Sequence, residues 1–127
     1  MFKGYSQTVI DHFFEPRNNY EMTDADGVGQ AGDPSCGDAV GIYIKVKDDV
    51  IEECSFVVMG CVGAIASSSM TTVLTAGKTL DEAYSLTPEE IAQALGGLPE
   101  NKIHCSVMGA NAVKDAIDNY RGKKEKG

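Results

Sequence analysis

The sequence predicts an α+β fold, with a small antiparallel sheet and helices around it. Strict alternation of Val40, Ile42, Ile44 and Val46 against Gly41, Tyr43 and Lys45 marks a half-buried strand. "KDD" turns the chain, and "VIEECSFVVMG" follows as a second strand with Cys54, Phe56 and Val58 on one face. The two make an antiparallel hairpin. Helical spacing recurs before and after it.

Residues 3–14 carry Tyr5, Val9, Ile10, Phe13 and Phe14 at that spacing, and Pro16 stops the pattern by disfavouring helix at Glu15. From Asn18 to Asp38 the chain is rich in Asn, Asp and Gly, which reads as a long loop, functional or mobile in character. A short strand inside residues 20–35 would complete the sheet, although its pattern is weak. "VGAIASSSMTTVLTAG" reads as a small-residue helix that can lie close to the sheet and ends at Gly77. Thr87, Pro88 and Glu90 form a helix start, and Gly96-Gly97 closes that helix. After "GGLPEN" comes a last helix over about 103–120, then a basic tail, "RGKKEKG", expected to be frayed.

The 127 residues suffice for one domain, 1–127, with a radius of gyration of about 14 Å. A hydrophobic share of 43% with 24% charged residues fits a globular chain, and the longest mostly apolar run, 56–66, is too short for a bilayer. A net charge of -8 argues against nucleic acid as partner. The N-terminal stretch lacks a signal core, so a reducing, cytoplasmic location and free thiols are expected.

Cys36, Cys54, Cys61 and Cys105 include no C-x-x-C pair, which disfavours thioredoxin-like chemistry and zinc fingers. Three of them fall at element ends: Cys36 before the hairpin, Cys61 at a strand-to-helix junction, Cys105 in the first turn of the last helix. Ends on one side of a small sheet can converge, and a helix N-terminus favours thiolate. Cys54, on a strand face with Phe56 and Val58, reads as a small buried hydrophobe. Asp38 follows Cys36 across Gly37, and His104 adjoins Cys105, with Lys102 close by. Three thiolates and one harder ligand suit zinc, Cu(I) or iron-sulfur centres and leave one exchangeable corner. Taken singly, Asp38 as a turn cap, His104 as a surface residue and Lys102 as a solvated charge are the simpler readings. Gly60 and Gly63 fit close packing of helix on sheet, and Ser67, Ser68 and Ser69 fit small-residue packing with local backbone bonds. Cys105 with His104 as base is a third reading, weakened because adjacent helical side chains diverge by about 100°.

Together "YSQTVIDHFFEPRN", "SCGDAV", "GCVGAIASSS", "GKTLDEA", "KIHCS" and "AIDNY" resemble the iron-sulfur cluster assembly scaffolds of the IscU/NifU N-terminal type over nearly the whole chain. The resemblance implies a three-stranded antiparallel sheet backed by helices on one side, with a partly exposed site at one end. It implies Cys36, Cys61 and Cys105 as cluster ligands, Asp38 as the residue linked to cluster lability, and His104 and Lys102 in the same site. It further implies a transient 2Fe-2S cluster built from iron and from persulfide sulfur supplied by a cysteine desulfurase, then passed to acceptor apoproteins. Tyr5 matches a tyrosine associated with self-association, so a homodimer belongs to the same expectation. The role is that of a scaffold rather than a turnover enzyme; a zinc-bound persulfide acceptor is the alternative. "LPENK" stands where many bacterial scaffolds carry the chaperone-recognition motif LPPVK, so chaperone recognition does not carry over. Val62-Gly63 replaces the commoner Gly-Ser after the second ligand. No insertion separates Cys61 from Cys105, unlike the zinc-dependent SufU subgroup, and the extra domains of full-length NifU are not expected.

Overall fold

The computed structural model describes residues 4–33, 37–98 and 103–126. Its elements are α1 (Gln7–Phe14), β1 (Gly27–Asp33), β2 (Asp38–Lys47), β3 (Val50–Met59), α2 (Val62–Thr75), α3 (Leu80–Tyr84), α4 (Pro88–Ala94) and α5 (His104–Lys126). The strands form one antiparallel sheet in the order β1-β2-β3. This is the expected α+β architecture.

The hairpin turns at Asp48 and Asp49, whose φ values of 53° and 62° put both central residues in the left-handed region between paired Lys47 and Val50. Such a turn matches the natural twist of two strands. Val40, Ile42 and Ile44 point into the core with Cys54 and Phe56, as the alternation requires. Burial pushes the Cys54 thiol up, which suits its reading as a small hydrophobe.

β1 was weakly marked because its residues, Gly-Val-Gly-Gln-Ala-Gly-Asp, have little strand propensity. Tertiary packing makes it a strand. A Cβ on Gly29 would lie 2.2 Å from the Ala112 carbonyl oxygen and 2.3 Å from the Ala116 nitrogen, and one on Gly27 would lie 2.5 Å from the Ala116 carbonyl oxygen. The missing side chains let the α5 backbone rest directly on β1. Along the outer edge, Val28 N–H donates to Asn119 Oδ1 at 3.0 Å and Gln30 N–H to Asp115 Oδ2 at 2.9 Å. Edge donors that would otherwise recruit another strand are thereby occupied.

Two helical ends and one whole helix differ from expectation. α1 begins at Gln7 rather than near residue 3, because Ser6 is its N-cap and Ser6 Oγ accepts from Val9 N–H at 3.1 Å. α3 was not anticipated, although Thr79 and Glu82 form a capping box: Thr79 Oγ1 accepts from Glu82 N–H at 3.2 Å and Thr79 N–H donates to Glu82 Oε1 at 3.1 Å. The expected frayed tail is instead helical through Lys126. Arg121 anchors this stretch, pairing with Asp81 at 2.8 Å and lying 5.6 Å over the Tyr84 ring, and cations suit the negative end of a helix dipole.

Two apolar clusters hold the layers together. One lies between the sheet and α5, with Ile42, Ile44, Phe56, Val113 and Ile117; the other joins α1, α2 and α4 through Val9, Met70, Ile91 and Leu95. The helices α2 and α5 approach closely where a Cβ on Gly109 would lie 2.4 Å from Thr71 Oγ1. Among the described residues no helix is long and apolar enough to cross a membrane.

Ser69 does more than pack. Its Oγ accepts from Arg17 N–H at 2.8 Å and lies 2.7 Å from His12 Nδ1, tying α1 to α2. Burial, with the nearby Arg17 charge, holds the His12 pKa below its usual 6.5.

Gly29→Ala should cost on the order of 3 kcal/mol by forcing α5 off the strand. Gly122→Ala, with open space around the added methyl group, should instead gain about 0.5–1 kcal/mol. Equilibrium urea unfolding of both variants reads the contrast; equal effects would remove the close-approach account of β1. For His12, the unfolded chain binds the proton more tightly than the folded one, so stability should fall as pH drops from above 6.5 through the lower folded value. His12→Asn should flatten that slope in unfolding midpoints measured across pH 5–7, an interval chosen to bracket the ordinary histidine value of about 6.5.

Candidate metal and thiol site

The site lies where three elements end together. Asp38 opens β2, Cys61 caps α2, and Cys105 occupies the first turn of α5. Gly37, just before Asp38, has a φ of 73°, and an added Cβ there would meet nothing within 4 Å. The backbone conformation, not crowding, requires glycine at that turn.

Asp38 is 5% exposed yet well partnered. Its Oδ1 accepts from Cys61 N–H at 3.3 Å, and its Oδ2 lies 3.7 Å from Cys61 Sγ. Gly60 makes room for this carboxylate, because a Cβ there would come within 2.5 Å of Asp38 Oδ1 and 3.0 Å of Ala64 Cβ. The sequence reading gave Gly60 only a helix-packing role; the carboxylate clearance was missed because Asp38 and Gly60 are distant along the chain.

Cys61 Sγ and Cys105 Sγ are 3.9 Å apart. Cys105 is buried, whereas Cys61 is partly open to solvent. The ligating atoms of Asp38, Cys61 and Cys105 all lie within 4.8 Å of one another. Two thiolates on one tetrahedral metal, each bonded at about 2.3 Å, are separated by about 3.8 Å, and a thiolate and a carboxylate oxygen by about 3.5 Å. The observed sulfur-sulfur and sulfur-oxygen distances, 3.9 and 3.7 Å, are close to those edges. The donor set therefore fits a metal ion.

His104 Nε2 lies 3.7 Å from Asp38 Oδ2 and 3.7 Å from Cys105 Sγ, with the side chain 29% exposed. The divergence of neighbouring helical side chains does not separate His104 from Cys105 as expected. His104 is the first residue of α5, and its imidazole reaches both the Cys105 thiol and the Asp38 carboxylate. Cys36 and Lys102, and the segment "PENK" within "LPENK", lie outside the described residues. Cys54 belongs to the core rather than to this cluster.

A family model, the NifU-like N terminal domain, matches residues 4–127. The chain belongs to this family. Its similarity extends to the iron-sulfur cluster assembly scaffold protein IscU 1 of Archaeoglobus fulgidus, 52% identical over 122 residues covering 96% of this chain and 80% of that protein. The iron-sulfur cluster assembly scaffold protein IscU of Escherichia coli is 45% identical over 126 residues, covering 96% and 98%. Among solved structures, a nitrogen-fixing NifU-like protein (N-terminal) from Brucella abortus superposes with a TM-score of 0.76 at 20% identity, covering 96% of this chain and 97% of that one. That likeness establishes the NifU-like fold.

Gly60→Ala tests the clearance around Asp38. The added methyl group should displace the carboxylate and weaken zinc binding by roughly tenfold, the scale of effect seen when a group supporting a metal ligand is lost. A competitive chelator titration reads the affinity and circular dichroism checks the fold; unchanged affinity with an intact fold would show that the carboxylate's position is immaterial.

Proposed function

We propose that the chain is a scaffold on which iron-sulfur clusters are assembled and from which they are handed on, and that it works without catalytic turnover of its own. The observation that carries this is the convergence of two thiols and a carboxylate, with the Cys61–Cys105 and Cys61–Asp38 separations close to the edges of one metal tetrahedron and all three ligand atoms within 4.8 Å of one another. Membership of the NifU-like family and the scaffold names of relatives at 45–52% identity support it.

The finer assignment extends that set. Cys61 and Cys105, joined by Cys36, hold a transient 2Fe-2S cluster, with Asp38 or His104 at the fourth corner and Lys102 nearby. Thiolates secure iron, while a carboxylate is a harder and more exchangeable donor, which suits a cluster that has to leave. Iron and sulfide are cargo in this scheme. A cysteine desulfurase supplies the sulfur as persulfide, acceptor apoproteins take the product, and residues 1–127 act as one unit in a reducing compartment such as the cytoplasm. Self-association through Tyr5 belongs to the same reading. Tyr5 packs against the cluster around Val9 and Ile91.

The decisive test is iron and acid-labile sulfide content, with the visible spectrum, on protein prepared without oxygen, before and after supply of iron and a cysteine desulfurase. Iron and sulfide should appear in equal amounts and be lost in alanine variants of Cys36, Cys61 and Cys105. Stoichiometric zinc that iron and sulfide never displace would instead select a zinc-bound sulfur acceptor. Asp38→Ala should hold a formed cluster longer than the unaltered protein when challenged with a chelator; faster loss would contradict the role given to the carboxylate.

A further inference from the structure

Cluster sulfur is sulfide, whereas sulfur carried as a persulfide is sulfane sulfur and must gain two electrons before it can bridge iron. Resting on the scaffold reading above, we propose that Cys61 and Cys105 supply those electrons as a dithiol couple, releasing sulfide inside the site and closing into a disulfide.

The distance is the main argument. Cys61 Sγ and Cys105 Sγ stand 3.9 Å apart, within half an ångström or so of the separation at which bound groups react, about 3–3.5 Å. A persulfide formed on either thiol therefore has the other at its inner sulfur. The sulfur-sulfur distance has to shorten to about 2.05 Å in the product. Cys61 is at an N-cap in extended conformation and makes no side-chain capping bond, so its side chain is not committed to the helix it precedes.

The third described thiol is unsuited to the step. Cys54 is 1% exposed on the strand face, and burial alone drives its thiol pKa up, suppressing the thiolate that attacks. The partly open Cys61 gives a small donor access to the pair, while the buried Cys105 is shielded from competing oxidants.

The step balances. The thiolate of one cysteine attacks the inner sulfur of the persulfide on the other, forming the Cys61–Cys105 bond and breaking the bond to the outer sulfur. The outer sulfur departs with the electron pair as hydrosulfide. It carries the persulfide proton, and the proton released by the attacking thiol completes hydrogen sulfide. Two thiol sulfurs are oxidised to disulfide level as one sulfane sulfur is reduced to sulfide. Hydrosulfide is a weaker base than a cysteine thiolate, which favours its departure.

This places the protein in a reaction sequence. The disulfide has lost two of the donors that fit a metal, so a two-electron reduction by a dithiol or an electron carrier must follow before the site can hold iron again. Sulfide delivery and metal holding then alternate at one pair of sulfurs.

The test uses the reduced, metal-free full chain without oxygen. Glutathione persulfide, a small sulfane-sulfur donor, is added and removed by desalting, after which released sulfide and intact protein mass are followed together. The loaded protein should lose its extra sulfur as sulfide, and peptide mapping should link Cys61 to Cys105. In Cys61→Ser and Cys105→Ser the persulfide should outlast that of the unaltered protein by about tenfold or more, because the intramolecular partner is gone. A persulfide that persists on the unaltered chain, or sulfide release with no Cys61–Cys105 link, would overturn the proposal. The peptide map needs no variant, so a variant that fails to fold leaves the test intact. Iron with free sulfide, offered separately, keeps the two readings distinct: cluster uptake there, with no disulfide in the persulfide assay, refutes the couple alone, whereas no uptake refutes the scaffold reading.

Discussion

The close seating of α5 on β1 is the constraint on which the rest depends. Gly27 and Gly29 let the helix backbone touch the strand, leaving no room for side chains between them. With the helix fixed there, its first turn brings Cys105 to the end of the sheet where β2 begins and β3 runs into α2. Asp115 and Asn119 reinforce the seat by accepting edge donors of β1. The same feature therefore sets β1, protects the sheet edge and places one sulfur of the site.

The second half of the site is built by a smaller clasp. Gly60 clears the space occupied by the Asp38 carboxylate, and the first residue of the α2 junction donates its N–H to that carboxylate. A buried carboxylate is costly unless it is bonded, and here its oxygens face a backbone donor, a thiol and an imidazole. The arrangement keeps a harder donor beside two soft ones without joining the three through neighbouring positions in sequence. A site assembled from separate element ends can gather chemically unlike ligands.

Much of this was legible in the sequence where local rules govern. The alternation of Val40, Ile42 and Ile44 fixed the buried face of β2, and the capping box at Thr87 and Glu90 located α4. The same capping rule applied to Thr79 and Glu82 would have found α3; its five residues show too little periodicity to stand out otherwise. β1 was faint because its glycines answer to α5, which lies far along the chain. Cys61, Cys105 and Asp38 could be selected by residue type and position at element ends, but their meeting depends on tertiary packing that no local pattern encodes. His104 shows the limit of an ideal-helix argument at a helix start: its imidazole lies 3.7 Å from the Cys105 sulfur despite the angular divergence of adjacent positions. Ser69 shows the same for a residue whose hydroxyl serves a distant imidazole rather than its own helix.

The central claim is that Asp38, Cys61 and Cys105 form one metal-thiolate site. The most direct measurement is X-ray absorption at the zinc edge of protein loaded with a single equivalent of zinc. The account predicts at least two sulfur scatterers at about 2.3 Å together with oxygen or nitrogen at about 2.0–2.1 Å. A shell made only of oxygen and nitrogen, or a sulfur shell unchanged when both Cys61 and Cys105 are replaced by serine, would contradict it.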